Sequence, residues 1–321
     1  MNEFLQDYKQ TKMFAKIENQ IKNGTFSHSN LIVCDDEFTA KLFSKLIAMT
    51  ILCENNSACG VCSHCKQVLS EVHADLFVFP KGKNFVVSDS EQIIEKAYTK
   101  PIHSDKKVFL INDFDNANMA SQNKVLKIFE EPSQNTYFIL NAKNSRKILP
   151  TIKSRMQIVN IPAFSLEEIK QILTEHDLVS SEVVLSFSNG FLGHALSLNE
   201  NKNFISSYDF VLSTLKDMQS SKDIIKFSPI LADKNTFILK LEIFERVFRN
   251  MLVYKAGKKE ILSEIEVLNI QSIENNFSLN AILKILEKLI KAKTYFDANV
   301  NLNSICDELL LGILEVKYLW K

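Results

Sequence analysis

Five short apolar runs divide the first half of this chain: NLIVC (30–34), DLFVFP (75–80), KVFLIND (107–113), TYFILNA (136–142) and MQIVNI (156–161). Each is bounded by polar residues or proline and is apolar throughout rather than alternating, the pattern of a strand covered on both faces. Helical segments separate them. Thr39–Cys53 carries Ala40, Phe43, Leu46, Ile47 and Thr50 on one face. A helix is read over 66–72, another from a Ser/Asp cap at Ser88 to Ala97, and a third over Ser121–Glu131, stopped by Pro132. Residues 1–30 read as helix with a turn at Asn23-Gly24, and Pro150 interrupts or restarts a helix over 147–155. Strands alternating with helices predict a doubly wound, mostly parallel α/β sheet over about the first 160 residues.

The pattern changes after Pro162. SLEEIKQIL is a capped amphipathic helix with Ser165 at the N-cap and Glu168 at N3. A small helical segment ends near SNGFLGHALSL (188–198), and from about 205 the chain is helical to its end. Ile238, Leu241, Phe244, Phe248, Met251 and Leu252 form one helical stripe, and Ile282, Leu286, Leu289 and Ile290 another; ICDELLLGILEVKYLW closes the sequence. An α/β domain, a small helical domain and a helical bundle are the expectation. The aromatic and Met side chains of the bundle read as core.

Four of six cysteines, Cys53, Cys59, Cys62 and Cys65, fall in CENNSACGVCSHC with spacing C-x5-C-x2-C-x2-C. MNEFLQDYKQTK carries no secretory signal, and no apolar window is long enough to span a bilayer. A cytoplasmic, reducing location is expected, with no membrane partner, and there clustered cysteines are metal ligands more often than disulfides. Four thiolates close a tetrahedral shell and leave no open position, so a structural zinc is predicted. An iron–sulfur cluster, unliganded thiols, and competition from His64 or His73 are the alternatives. Cys34 and Cys306 sit in apolar surroundings and read as core.

Two bulk properties restrict chemistry. Lys plus Arg and Asp plus Glu both number 38, so a neutral chain is a poor sequence-blind nucleic-acid binder by itself. Of seven glycines, only Gly24, Gly60 and Gly82 precede residue 190, and neither GxxxxGK[ST] nor GxGxxG occurs. A phosphate-cradling loop needs clustered glycines, so this chain is expected to bind no nucleotide of its own through a conventional P-loop.

Three segments in combination carry a resemblance: the cysteine stretch through HADLFVF; KVFLINDFDNANMASQNKVLKIFEEPSQNTYFILNAKNSRKILPTIKSRMQIVNI; and SNGFLGHALSL. Over about residues 25–198 the sequence resembles the bacterial clamp-loader ATPase family, of AAA+ fold, and within it most resembles the delta prime subunits of the DNA polymerase III holoenzyme. The last 120 or so residues match only in being helical. The resemblance implies a P-loop NTPase-like α/β domain over 1–162 with an inserted zinc module at 53–65, a helical lid over 163–204, and an all-α collar over 205–321.

It also locates what is degraded. The place of the Walker A loop reads VCDDEFTAKLF (33–43), where Asp35, Asp36 and Glu37 would repel a phosphate and Lys41 falls near, but not at, the lysine position. The Walker B place has Asn112 for the magnesium-binding acid, followed by Asp113; Asp113 and Asp115 read otherwise as solvated acids. The third motif survives: Ser154 and Arg155 match the family's Ser-Arg-Cys, with Met156 for the cysteine. Residues alone read Arg155 as a surface ion pair, and Arg146 and Lys147 as solvated or interfacial charges. The resemblance implies instead an arginine finger that reaches ATP held by a neighbouring subunit. The implied protein is an ATPase-inactive subunit, uncertain as an enzyme by itself, in a hetero-pentamer with gamma/tau and delta, acting on the sliding clamp and primed DNA through the complex. A hydrolysing gamma/tau-like subunit and a degenerate AAA+ zinc scaffold outside replication are the competing readings.

Overall fold

The computed structural model describes residues 2–273 and 277–319; Trp320, at the end of the last predicted helix, lies outside them. The chain divides into two compact units, residues 1–176 with 190–194, and residues 177–189 with 195–321.

The first unit follows the predicted alternation. Its elements are α1 (Leu5–Lys9), α2 (Lys12–Lys22), β1 (Ser29–Val33), α3 (Glu37–Leu52), α4 (Ser63–Leu69), β2 (Leu76–Phe79), α5 (Val87–Ala97), β3 (Lys107–Ile111), α6 (Met119–Glu130), β4 (Thr136–Ala142), α7 (Pro150–Lys153), β5 (Gln157–Asn160) and α8 (Leu166–Glu175). The strands form one all-parallel sheet in the order β2-β3-β4-β1-β5. In register across three strands, Phe77, Phe109 and Phe138 stack with centroids 5.0 Å apart at each step. Such pairs contribute roughly 0.5–1.5 kcal/mol each beyond burial and fix the side of the sheet each strand presents.

Several local expectations need correction. The N-terminal helix is two helices, because Thr11 caps a new one by accepting the Phe14 N–H. β5 is not covered on both faces. It pairs only with β1, and Gln157, Ile158 and Asn160 are exposed. Conversely, α3 has no solvent face beyond its first turns: every residue from Thr39 to Leu52 except Lys41 is buried. Even Lys45 is buried, its ammonium held by Leu69 O at 2.9 Å and Glu71 at 3.0 Å. α5 begins at Val87 rather than after a Ser88 cap; the Asp89 carboxylate reaches back to the Val86 N–H. Pro150 starts a short helix at its N1 position, where its missing N–H costs nothing. The Ser165–Glu168 capping box forms as predicted.

The second unit is helical: α9 (Glu182–Phe187), the later turns of α10 (Leu192–Glu200), α11 (Phe204–Asp217), α12 (Ser221–Leu231), α13 (Phe237–Lys255), α14 (Glu264–Gln271), α15 (Leu279–Asp297) and α16 (Leu302–Leu319). α13 packs on α11, α14 and α15, and α16 packs on α12 and α15. Phe237, Phe244, Phe248 and Met251 from α13 meet Ile282, Ile285, Leu310 and Ile313 in one core. The stripe on α15 is rotated from the expected one. Ile282, Ile285, Leu289 and Ala292 are buried and Ile290 is 63% exposed, because the spacing 3-4-3 follows the turn of the helix and residue 290 falls on the far side. Cys34 and Cys306 are buried as expected.

Candidate functional site

Three places in the first unit carry chemistry. The first is the cysteine segment. α3 ends at Leu52 with Cys53 as its C-cap residue, and positive φ at Asn56, Ala58 and Gly60 turns the chain back. Cys62 then caps α4 by accepting the Cys65 N–H at 3.4 Å, and Cys65 lies in the first turn. The turn thereby brings all four predicted ligands together, with their Sγ atoms within 4.8 Å of one another. The Cys59–Cys65 and Cys53–Cys62 separations are 3.9 and 4.0 Å. A tetrahedral metal with metal–sulfur bonds of about 2.3 Å has edges of about 3.8 Å, so the set fits a four-coordinate ion.

The sulfurs are in conflict without a cation. Burial raises the Cys53 pKa, but N–H groups of residues 55, 57 and 59 outweigh it and hold the thiol down to about 6. N–H groups of Cys62 and Val61 likewise lower Cys59, whereas burial pushes Cys65 up. A bound cation would let all four ionise together. His64 and His73 stand outside the sulfur group. His73 Nδ1 accepts the Asp75 N–H at 3.0 Å, so its Nε2–H donates to His64 Nδ1 at 2.7 Å, and both ring nitrogens of His73 are committed.

The second place is the turn from β1 into α3. Helix N-termini present unsatisfied N–H groups that suit an anion. Here the anion is part of the chain. The buried Asp36 carboxylate accepts from Phe38 N and Thr39 N at 3.3 Å, from Thr39 Oγ1 at 2.5 Å, and from Gly193 N at 2.9 Å. Tyr8 OH reaches Thr39 Oγ1 at 2.7 Å behind it. A side chain at residue 193 would come within 2.3 Å of Asp36 Oδ1, so only glycine fits.

The neighbouring charges are paired among themselves. Lys41 bonds to Glu37 and lies 3.2 Å from Asp113; Glu37 also pairs with Lys143 at 2.9 Å. Burial lowers the Lys41 pKa, but Glu37 and Asp113 outweigh it and the net shift is upward. Lys41 and then Lys143 hold Glu37 below the usual carboxylate range. Asn141 at the end of β4 locks the strand ends, donating to Asn112 Oδ1 at 2.6 Å and accepting the Asp113 N–H at 2.8 Å. The solvated reading of the two acids is corrected: Asp113 is ion-paired, and Asp115 is buried with one oxygen on Asn144 N at 3.2 Å.

The third place follows α7. Arg155 is surface-exposed; its Nη2 donates to Glu130 Oε1 at 3.1 Å, and its Nε lies 3.1 Å from Glu130 Oε2 as an ion pair. Its Nη1 donates to Thr151 O at 2.9 Å and Ser154 Oγ at 3.3 Å. Met156 turns inward and packs in the core of the sheet. Arg146 and Lys147 are exposed.

The profile of a family described as "DNA polymerase III, delta subunit" matches residues 9–165, which include the cysteine segment, Asp36 and Arg155 but not Tyr8 or Gly193. The DNA polymerase III subunit delta' of Bacillus subtilis is 24% identical over 95% of this chain and 96% of its own length. The chain is thus similar, over nearly its whole length, to a delta' subunit of DNA polymerase III. The tau subunit of Escherichia coli is 26% identical over 64% of this chain, which spans only 33% of tau. The solved structure of a gamma subunit-related protein from Thermotoga maritima is 15% identical, covering 95% of this chain and 100% of its own, with a TM-score of 0.43.

Sequence reasoning missed four residues of these places: Glu130, Asn141, Gly193 and Tyr8. Asn141 was open to detection as the polar residue in an otherwise apolar strand, and a buried amide needs partners. Gly193 lies in a phrase that was noticed, SNGFLGHALSL, but its contact with residue 36 spans 157 positions and leaves no local trace. Among the described residues, no helix is long and apolar enough to cross a membrane.

Proposed function

We propose that this chain is a delta prime-type subunit that binds no ATP of its own, holds a structural zinc, and lends Arg155 to ATP bound by an adjacent clamp-loader subunit. The observation that carries this reading is the filled phosphate seat. The N–H groups that begin α3 already hold Asp36, Lys41 is neutralised by Glu37 and Asp113, and Asn112 offers no charge to a magnesium ion. A nucleotide would have to displace a buried carboxylate from four donors and then face Asp35 and Glu37. The match to a delta' subunit over nearly the whole chain supports the same assignment over the hydrolysing gamma/tau reading.

The partners are then gamma/tau and delta subunits in a hetero-pentamer, held by the helical second unit as a collar. The sliding clamp and primed DNA are met through that assembly, in the cytoplasm. Cys53, Cys59, Cys62 and Cys65 hold the zinc, which cross-links the turn between α3 and α4 and supplies no catalytic position. Ser154 fixes the local turn, its hydroxyl on Thr151 O at 3.1 Å. Arg155, exposed on the surface, stabilises charge that develops on the neighbour's γ-phosphate, a contact that contributes roughly 10³–10⁵ in rate at the site it serves.

The test is ATP turnover in a complex reconstituted from this chain and the hydrolysing subunits of the same organism. Arg155→Ala is expected to assemble normally and to abolish turnover at the one adjoining site. An unchanged rate would remove the finger from the proposal.

A further inference from the structure

Arg155 is not a free side chain, and its restraint is specific. A guanidinium has five N–H donors in a rigid plane. Three hydrogen bonds within the chain hold it, from Nη2 to Glu130 Oε1 and from Nη1 to Thr151 O and Ser154 Oγ, and Nε lies 3.1 Å from Glu130 Oε2 as an ion contact. Glu130 is the last residue of α6, and α6 packs against α7, the helix that leads to Arg155. The side chains of Arg155 and Glu130 remain 34% and 52% exposed, so the pair is accessible to an incoming phosphate.

We infer that Glu130 is a positioning residue for Arg155: its carboxylate, through one hydrogen bond from Nη2 and an ion contact with Nε, sets the orientation in which the guanidinium meets a phosphate oxygen of the neighbouring subunit's nucleotide. This rests on Arg155 acting in trans, as proposed above. Exposed ion pairs contribute little to folding, so a stability role gives no reason for the Arg155–Glu130 pair at this place. Orientation does give one. A long arginine loses much rotamer entropy on being ordered, and a carboxylate that orders it beforehand removes that cost from the reaction. Thr151 O and Ser154 Oγ hold the opposite nitrogen, so the guanidinium is restrained from two elements.

The experiment uses the reconstituted complex, with Mg-ATP as substrate and three variants of this chain: Arg155→Ala, Glu130→Ala and Glu130→Gln. Assembly is checked by size-exclusion chromatography before kinetics. Glu130→Ala is expected to assemble fully and to lower kcat at the adjoining site roughly three- to ten-fold while KM for ATP stays unchanged, because orientation acts on the transition state. Glu130→Gln retains one acceptor oxygen and is expected to fall between Ala and the parent. If Arg155→Ala lowers kcat while Glu130→Ala leaves it unchanged or raises it, the positioning role is overturned and the finger stands. If Glu130→Ala instead reduces assembly with kcat intact, the role is structural and the inference is likewise overturned. If Arg155→Ala has no effect, the finger itself fails and the inference falls with it.

Discussion

Two buried carboxylates show how this chain satisfies backbone donors with its own side chains. Asp36 fills the start of α3, and Asp75 does the same for the loop before β3: its fully buried carboxylate accepts from Ile102 N, His103 N and Ser104 N at 2.6, 2.7 and 2.8 Å. Burial raises the Asp75 pKa, but these three bonds outweigh it, and the net shift is downward. The sign follows. A carboxylate whose folded pKa lies below its unfolded value of about 3.9 adds stability above that pH, and the contribution is lost as pH falls through the folded pKa. Asp75→Asn offers one acceptor where two were used and points an amide at N–H donors. It is expected to cost about 2 kcal/mol in urea unfolding at neutral pH and to flatten the loss of stability below pH ~4 that the parent shows. An unchanged urea midpoint would contradict this account of the loop. Neither network was legible in advance. Asp36 is recognisable as an acid where a phosphate loop should be, but not as the acid that fills it, because two of its four donors come from a hydroxyl and from residue 193.

At the level of elements, the strands were the most legible feature. β4 lies over Thr136–Ala142 as read, and the other four lie within one residue of their apolar cores or inside them. Apolar runs bounded by breakers need no knowledge of their neighbours. What failed depends on neighbours: the exposure of β5, which follows from its place at the sheet edge, and the all-round burial of α3. The cysteine module is the opposite case. Its ligand set was readable from spacing alone, because close chain positions leave few ways to arrange four sulfurs. Its turn was not, because positive φ at Asn56 and Ala58 has no glycine to announce it. Elemental analysis is expected to find about one zinc per chain, and Cys59→Ser or Cys62→Ser to lower both metal content and thermal midpoint, since the proposed metal would tie α3 to α4. A metal-free protein of unchanged midpoint would refute the clip.

For the whole molecule, the proposed function accounts for a unit whose parallel α/β sheet leads into a helix N-terminus already filled by the chain's own acid. The sheet, the β1–α3 turn and the arginine motif persist, while the charges within the turn have been paired internally: Asp36 with N–H donors, Lys41 with Glu37 and Asp113, Lys143 with Glu37. The scarcity of glycines before residue 190 drew attention to the β1–α3 turn, and the resemblance drew it to Arg155. Its partner Glu130 was hidden, since 25 residues separate them. The central claim is that the seat is occupied by the chain itself, and isothermal titration of Mg-ATP into the purified chain tests it most directly. The account expects no saturable heat. A saturable isotherm of micromolar affinity, with one nucleotide per chain, would contradict it.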